Sequence, residues 1–356
     1  MKHYLIIACI TVCLLLSRCS KPEFETFILP PSTVESAKEV FVIDTIYLPD
    51  SRNRKTSVSV LSDTLLIIEN DDHGLSHGED MYYLYSPIRK HRTPLLQFGN
   101  SSKGLLSSTT CRNGETFLIY DFIKGNIYQY NINNLLCGVL TPRINSISFP
   151  TQYLLPYKDT SFIFLNPYYF PTDSRQWKKY KGRFCISTGG SYHFNYSYKY
   201  DPYDVTRGVF ILSQDKDRIV YFDSHLNCIE FYDSSLNPIK KIVGPSSDDV
   251  RYGAITTNEH VQSIVFSGAA PETYLEVTYN DDFIYAAYSG KTIVADSNRS
   301  TFNSLIFVFS WDGEWLETRT CDLHIKTLSP SSENARTIYI FGQDDIAHYS
   351  LLKCHL

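Results

Sequence analysis

One short pattern of residues recurs six times along this chain, and that recurrence limits what the chain can fold into. Each copy opens with a polar or turn-forming residue, continues into a run of apolar, β-branched and aromatic residues, and is followed by a second such run. The first runs begin at Asp63, Gly114, Asp159, Asp217, Asp281 and Arg336. Their starts are about 55 residues apart on average. Short runs of this kind, bounded by turn residues, are typical of β-strands. No apolar pattern of helical period competes with them, so the chain is predicted to be all-β.

The clearest copy spans residues 281–319, with the sequence DDFIYAAYSGK, a polar interval and SLIFVFSWDGEWLETR. Asp312-Gly313 stands between two apolar runs, and such a pair predicts a hairpin because glycine accepts the positive φ that tight turns require. Trp311 and Trp315 flank the turn, and they are predicted to serve packing and turn geometry.

A repeat of this length that holds about four short strands is typical of a β-propeller blade. One blade cannot bury both faces of its small sheet, so neighbouring blades must stack around a central axis. Six copies therefore predict a six-bladed β-propeller over residues 39–356. The last copy lacks an outer strand before the chain reaches Leu356, and the apolar run from Glu39 to Leu48 has no partner of its own. Pairing of this N-terminal strand with the last blade is predicted to close the ring and remove two open edges.

Composition limits the classes of function. Hydrophobic residues make up 43% of the 356 residues, which indicates a globular protein, and the formal net charge of −5 argues against a nucleic-acid partner. Six cysteines are scattered singly through the repeats, without a Cys-x-x-Cys pair, so neither a zinc ribbon nor a thioredoxin-type site is supported. They are predicted to be buried free thiols, with one or two disulfides as the alternative. No cofactor is expected, and the propeller is expected to be a monomer.

The N-terminus has the features of an export signal. Lys2 is followed by an uncharged apolar run from Tyr4 to Leu16, which at 1.5 Å per residue is too short to span a ~30 Å hydrocarbon core. The sequence LLLSRCS around Cys19 resembles a bacterial lipoprotein box. The resemblance implies that residues 1–18 are a signal peptide, that Cys19 is lipidated, and that the protein is attached to the outer membrane on its periplasmic or cell-surface side.

Residues 19–38 contain three prolines and no lasting periodicity. They are predicted to be an extended tether that separates the folded domain from the bilayer.

A family resemblance accompanies the repeats. The block YLEVTYNDDFIYAAYSGK, followed by SLIFVFSWDGEWLETRTCDLHIKTLS and RTIYIF, resembles the C-terminal half of TolB-like six-bladed propeller lipoproteins. The segment QFGNSSKG, residues 97–104, is similar to that family's phenylalanine-glycine loop after the first blade. The resemblance implies a secreted or surface propeller, and it carries no catalytic residues.

One acidic, histidine-containing segment spans residues 70–80, with the sequence NDDHGLSHGED. Its imidazoles and carboxylates are ligand types that zinc or calcium accepts. His73 and His77 share a face only in a helix, however, and two glycines oppose a helix there. The segment is interpreted as a solvated loop, and no metal site is predicted.

The candidate recognition residues are aromatic and lie in the third copy, where the repeat is interrupted. They are Tyr168, Tyr169, Trp177, Tyr192, Phe194, Tyr196, Tyr198 and Tyr200. The alternation from 192 to 200 would place these rings on one face of an extended strand. An exposed face would form a stacking surface for a carbohydrate, a peptide or an envelope protein, whereas a buried face would only pack the blade.

The sequence therefore predicts a secreted, lipid-anchored ligand- or protein-binding module of the cell envelope, with no catalytic residues assigned. The alternative is a propeller glycan hydrolase or lyase with a pore-centred active site. The turn residues Asp159, Asp217, Asp281 and Asp282 could line one ring face in such an enzyme. Because they recur at the same point of several repeats, they suit turn formation better.

Overall fold

The computed structural model describes residues 24–49, 55–70, 75–101, 104–147, 151, 153–158, 161–165, 183–188, 191–194, 208–213, 215–245, 252–257, 260–266, 271–292, 304–332, 334–344 and 348–356. The fold is all-β, with six blades arranged as a β-propeller. Across these ranges, no helix is long and apolar enough to span a bilayer.

The elements follow the chain from the N-terminus through six four-stranded blades. The N-terminal elements are β1 (Glu25–Ile28), α1 (Ser32–Glu35), β2 (Lys38–Glu39) and β3 (Phe41–Ile46). Blade 1 comprises β4 (Lys55–Ser62), β5 (Leu65–Asn70), β6 (Asp80–Ser86) and β7 (His91–Phe98), with β8 (Gly104–Leu105) at its outer edge. Blade 2 comprises β9 (Ser108–Asn113), β10 (Thr116–Asp121), β11 (Asn126–Asn131) and, after α2 (Ile132–Leu136), β12 (Arg143–Ser146). Blade 3 comprises β13 (Leu154–Tyr157), β14 (Ser161–Leu165), β15 (Phe184–Thr188) and β16 (Ser191–Phe194).

The second half of the ring has the same organisation. Blade 4 comprises β17 (Gly208–Ser213), β18 (Arg218–Asp223), β19 (Cys228–Tyr232) and β20 (Pro238–Val243). A separate hairpin follows it, formed by β21 (Tyr252–Thr257) and β22 (His260–Phe266). Blade 5 comprises β23 (Pro271–Tyr279), β24 (Phe283–Thr292), β25 (Ser304–Ser310) and β26 (Trp315–Cys321). Blade 6 comprises β27 (His324–Pro330), β28 (Thr337–Gln343) and β29 (Tyr349–His355), with β3 as its fourth strand.

Among the residues that the structure describes, buried apolar side chains form six clusters, and each cluster lies between two successive blades. Neighbouring residues of one strand face opposite blades: Tyr82 belongs to the cluster shared with blade 2, whereas Tyr83 belongs to the cluster shared with blade 6. The blade 6–blade 1 cluster includes Tyr339 and Phe341, so the stacking runs around the whole ring. The two faces of every blade are thus buried only by its neighbours, as expected for a propeller.

The N-terminal strand closes the ring, as predicted. β3 pairs antiparallel with β29, from Phe41 opposite His355 to Ile46 opposite Leu351. The last blade therefore combines three strands from the end of the chain with one from its start. The Asp312-Gly313 hairpin is also confirmed, since β25 and β26 pair antiparallel and Gly313 has φ +72°.

The tether predicted for residues 19–38 is wrong from Phe24 onward. β1 pairs parallel with the outermost strand of blade 4, and β2 pairs parallel with the outermost strand of blade 5. Between them Leu29 and Thr33 are buried, and Leu29 belongs to the blade 4–blade 5 cluster. Residues 24–46 thus form a belt along the rims of blades 4, 5 and 6. Backbone pairing and a few buried side chains hold the belt, so no apolar periodicity marked it in the sequence.

The order of strands within the blades also needs correction. The first run of each repeat is the second strand of its blade, because an inner strand precedes it. In blade 2 the outer strand is β12, and the apolar run LLCGVL, residues 135–140, precedes it without forming a strand. Leu135 instead ends up buried on α2, where the Asn131 side chain accepts a hydrogen bond from the Asn134 amide and caps the helix.

Candidate functional site

The inner strands surround the propeller axis, and their turns onto the second strands meet at one end of the ring. A cavity of about 320 Å³ lies there. We call it the channel mouth. It is lined by Arg112, Gly114 and Glu115 of blade 2, Thr278, Tyr279, Asn280, Asp281 and Asp282 of blade 5, and Pro330, Ser331, Ser332 and Ala335 of blade 6. Blades 2 and 5 stand opposite each other in the ring, so the cavity lies over its centre.

Side chains from opposite blades meet at this end of the channel. The Tyr279 hydroxyl of blade 5 lies 2.9 Å from the carbonyl oxygen of Leu212 in blade 4 and 3.1 Å from Oδ1 of Asn113 in blade 2. The Asn113 amide donates to the carbonyl of Pro156 in blade 3 at 3.3 Å. These bonds tie blades 2, 3, 4 and 5 together beneath the cavity.

Arg112 is the cation of the channel mouth. Its Nη1 donates to the carbonyl of Val60 in blade 1 at 3.1 Å, and its Nε donates to the carbonyl of Gly114 at 3.5 Å. Nη2 forms no hydrogen bond with any residue that the structure describes. Burial lowers the pKa of the guanidinium from its ordinary value, while Glu115 and Tyr279 oppose the shift. The two backbone carbonyls thus fix the position of the guanidinium at the channel mouth.

Two exposed carboxylates stand at the rim of the channel mouth. Asn280 shapes this turn: its Oδ1 accepts hydrogen bonds from the amides of Asp282 and Phe283, and its amide donates to the carbonyl of Ala335 in blade 6. Within the described ranges, the carboxylates of Asp281 and Asp282 form neither hydrogen bonds nor ion pairs. Unpaired acceptors at the rim thus face the same cavity as the Arg112 donor.

A second set of titratable groups lies deeper in the channel. Glu276 precedes Tyr279 by three residues on the inner strand β23, about 10 Å further from the mouth. Burial raises the pKa of Glu276 to about 8, although the Val277 amide favours the charged form. Burial also raises the pKa of Tyr153 and of the Cys111 thiol, and the Glu276 charge adds to the effect on Tyr153. Glu276 does not line the mouth cavity, so a ligand there does not reach it directly.

None of the aromatic candidates that the structure describes lines the channel mouth. Tyr168, Tyr169, Trp177, Tyr196, Tyr198 and Tyr200 lie outside the described residues. Tyr192 is half-buried on β16, with its ring 6.1 Å from Phe164 in an edge contact, and it packs against the blade 2–blade 3 cluster. Phe194 ends β16, and its side chain lies outside the described part. Tyr192 thus contributes to the packing between blades 2 and 3.

The segment 70–80 shows loop contacts at the positions that are described. The Asn70 amide donates to the carbonyl of Asp80 at 2.8 Å, and the His77 ring lies 5.6 Å from Phe98. His73 lies outside the described residues. Across the ranges given above, no three metal-ligating side chains come together. The six body cysteines Cys111, Cys137, Cys185, Cys228, Cys321 and Cys354 are free thiols, of which only Cys137 is exposed.

A buried charged cluster between blades 3 and 4 is structural. Arg183 Nε lies 3.1 Å from Glu230 Oε2, and the Tyr232 hydroxyl donates to the same oxygen at 2.6 Å. Lys241 lies 3.4 Å from Glu230 Oε1. Burial raises the pKa of nearby Asp223 to about 6, although Arg183 and two backbone amides oppose the shift. The charges of Arg183, Lys241 and Glu230 thus pair with one another, and none of these residues lines the two cavities described for this protein.

Sequence reasoning missed Arg112, Tyr279 and Glu276, because their inner strands were not recognised. β9, with the sequence STTCRN, is only half-buried along its length and has no apolar alternation. A usable signal was position: Arg112 and Tyr279 come two residues before turns already identified at Gly114 and Asp281. A larger groove of about 520 Å³ lies between blades 1 and 2; its surface is mostly apolar, and Arg89 and His91 are among its lining residues.

Comparison with known proteins supports the fold. No protein-family model matches the chain, and none of the curated proteins matches it either. A solved structure of a DUF4221 family member from Bacteroides vulgatus superposes with a TM-score of 0.59 at 11% identity, covering 90% of this chain and 98% of the other. A candidate exported protein from Bacteroides fragilis superposes with a TM-score of 0.53 at 12% identity, covering 94% and 99%. Identities this low show a shared fold alone.

Proposed function

We propose that this protein is an exported lipoprotein that holds a non-catalytic, ligand-binding propeller at the outer membrane, with the ligand in the channel mouth. The observation that carries the proposal is the meeting of blades 2, 5 and 6 around one cavity, whose lining includes the Arg112 guanidinium and the exposed residues Asp281 and Asp282. Concave sites with a few convergent polar groups are where ligands bind most often.

The ligand class that fits this site is a carbohydrate. The cavity offers a guanidinium donor and two carboxylate acceptors, and sugar hydroxyls both donate and accept hydrogen bonds. Its volume of about 320 Å³ lies at the lower end of the range for ligand pockets, which suits one or two sugar rings. The lining carries one cationic side chain, Arg112, and three acidic ones, Glu115, Asp281 and Asp282, and this negative balance favours a neutral, oxygen-rich ligand over an anionic one.

Catalysis remains the alternative, with Glu276 as the group that favours it. A carboxyl with a pKa of about 8 is protonated at neutral pH and could act as a general acid. A hydrolase or lyase also needs a second group that reaches the same bond. The three-residue separation of Glu276 from Tyr279 along β23 opposes this, because the substrate would have to pass the bonds beneath the cavity.

Export and lipidation have separate support. The apolar run before Cys19 and the lipoprotein-box resemblance point to export, and the resemblance to TolB-like lipoproteins points the same way. The Bacteroides fragilis structure with the same fold is named as a candidate exported protein. Labelling with a palmitate analogue and detergent-phase partitioning test lipidation, with the Cys19→Ala variant as the control that should stay in the aqueous phase.

The binding site is tested with a glycan and peptide array followed by calorimetry. Wild type is compared with Arg112→Lys, which keeps the charge but loses the planar fork, and with the double variant Asp281→Asn, Asp282→Asn. We expect affinity for glycans to fall at least about tenfold in both variants, while Glu314→Gln, an exposed carboxylate on the same blade, stays unchanged.

Two results would contradict this site. Unchanged affinity in both variants removes the ligand from the channel mouth. Loss of binding in Tyr196→Ala and Tyr198→Ala, with full binding in the Arg112 variant, assigns recognition to the aromatic candidates of blade 3 instead. Selective capture of peptides would replace the carbohydrate assignment.

A further inference from the structure

The described chain begins at the outer rim of blade 4. The ring of Phe24 lies 5.3 Å from that of Tyr232 in an edge contact, and β1 follows as the outermost strand of this blade. Only residues 20–23 separate Phe24 from Cys19. Since an extended chain covers at most about 3.6 Å per residue, a lipid on Cys19 can be no more than about 18 Å from this rim.

The same rim exposes apolar side chains. Ile28 is 75% exposed and Phe27 is 42% exposed, both on β1, and Leu316 on the outer strand of blade 5 is 40% exposed. Lys240 lies over the Phe27 ring, with its Nζ 4.3 Å from the ring centroid, and it donates to the carbonyl of Asp312 at 3.3 Å in the neighbouring blade 5 turn. Aromatic and aliphatic side chains next to a lysine are typical of surfaces that contact lipid headgroups.

We propose that the rim of blade 4, formed by Phe27, Ile28 and Lys240, rests on the surface of the bilayer into which the lipid anchor inserts. The inference rests on the proposed lipidation of Cys19, which keeps the anchor within about 18 Å of this rim. Ile28 and Phe27 enter the headgroup region, and the Lys240 ammonium pairs with lipid phosphates.

This contact sets the direction in which the channel opens. β1 lies on the outside of the ring, so a ring standing on this strand has its axis along the membrane plane. The channel mouth then opens sideways, where dissolved ligands reach it without passing the bilayer.

The test measures lipid contact at single positions of the full, acylated chain in liposomes. Cys137, the exposed thiol, is first replaced by serine, and a fluorophore is attached at Ile28→Cys or at Ile88→Cys. Ile88 is the matched control: it is 72% exposed and belongs to blade 1, opposite blade 4 in the ring. With nitroxide-labelled lipids, we expect quenching at position 28 to exceed quenching at position 88 by at least about threefold.

Detergent-phase partitioning of the same samples separates the two hypotheses. Acylated protein with equal or absent quenching at both positions overturns the docking inference and leaves the lipoprotein assignment intact. Protein that lacks the lipid overturns both. A second pair of variants replaces each isoleucine by aspartate. Ile28→Asp should reduce the part of liposome binding that persists at high salt, whereas Ile88→Asp should leave it unchanged. The opposite result would also overturn the inference.

Discussion

The hydroxyl of Tyr279 on blade 5 lies 3.1 Å from Oδ1 of Asn113 on blade 2, so one side chain links two blades on opposite sides of the ring. The same hydroxyl lies 2.9 Å from the Leu212 carbonyl of blade 4. A hydroxyl has a single hydrogen, so the two acceptors share it. This contact joins blades 2, 4 and 5 next to the proposed ligand site, which Tyr279 also lines.

Replacement of Tyr279 by phenylalanine should therefore destabilise the propeller without creating a cavity among its buried side chains. The ring contact with Trp311 is kept, while the Leu212 carbonyl and Asn113 lose a donor. We expect the free energy of unfolding to fall by about 1–3 kcal/mol in urea titrations. Tyr130→Phe is the matched control, because the Tyr130 hydroxyl is buried and has no hydrogen-bond partner in the described part of the chain. Equal losses in the two variants would contradict the bridging role.

Glu276 should make the stability of the fold depend on pH. Burial raises its pKa from the ordinary 4.5 to about 8 in the folded protein. The folded state therefore holds this proton more tightly, and the resulting stability is present at acidic pH and is lost as the pH rises from about 4.5 through 8. Glu276→Gln should melt at a higher temperature than wild type at pH 9 and nearly the same temperature at pH 4. Glu314→Gln, at an exposed position of the same blade, is the control, and a parallel change of melting temperature in both variants would refute the assignment.

Gly125 tests the turn geometry of blade 2. Its φ is +71°, and a Cβ added there would lie 2.2 Å from the carbonyl oxygen of Ile147, which belongs to the rigid backbone. Gly125→Ala should lower the free energy of unfolding by more than about 2 kcal/mol. Gly114→Ala is the control, since Gly114 also has a positive φ, +54°, but no atom lies within 4 Å of an added Cβ. Denaturant titration gives the free energy of unfolding of both variants. The loss in Gly114→Ala measures the cost of the positive φ, and the additional loss in Gly125→Ala measures the steric clash.

The parts of the fold that could be predicted are those with an apolar signal. The second strands of the blades are nearly continuous apolar runs, because both of their faces are buried by neighbouring blades. Phe117 and Leu118 illustrate this, as they face opposite interfaces. The unpaired run at Glu39 and the missing last strand together predicted ring closure, since open edges are unfavourable.

The channel mouth and the belt could not be predicted in the same way. Arg112 lies on an inner strand that borders the axis, where polar and half-buried residues replace the apolar run. Its partner, the Val60 carbonyl, is 52 residues away in sequence and is set by the stacking of blades. β1 is held by parallel backbone pairing, and its side chains, including Ile28, are exposed. Nothing in their pattern indicated a partner on blade 4.

Removal of residues 39–48 tests the ring closure. Without β3, the last blade loses its fourth strand, the backbone groups of β29 from Leu351 to His355 lose their partners, and the blade 6–blade 1 cluster loses its contacts with Ile46 and Leu48. An exposed, unpaired edge invites association with other chains. We expect the truncated protein to precipitate or to form large oligomers in size-exclusion chromatography, and to melt well below the full chain.

A second variant separates loss of the strand from loss of its apolar side chains. Phe41 and Ile43 are 71% and 49% exposed on β3, so their replacement by lysine leaves the backbone pairing with β29 in place. Edge lysines oppose association between chains. Phe41→Lys, Ile43→Lys should therefore stay monomeric and melt near the wild-type temperature while the deletion aggregates. If the deletion stays soluble and melts like the full chain, β3 does not close the ring; if the lysine variant also precipitates, the side chains of β3 contribute more to closure than its backbone pairing.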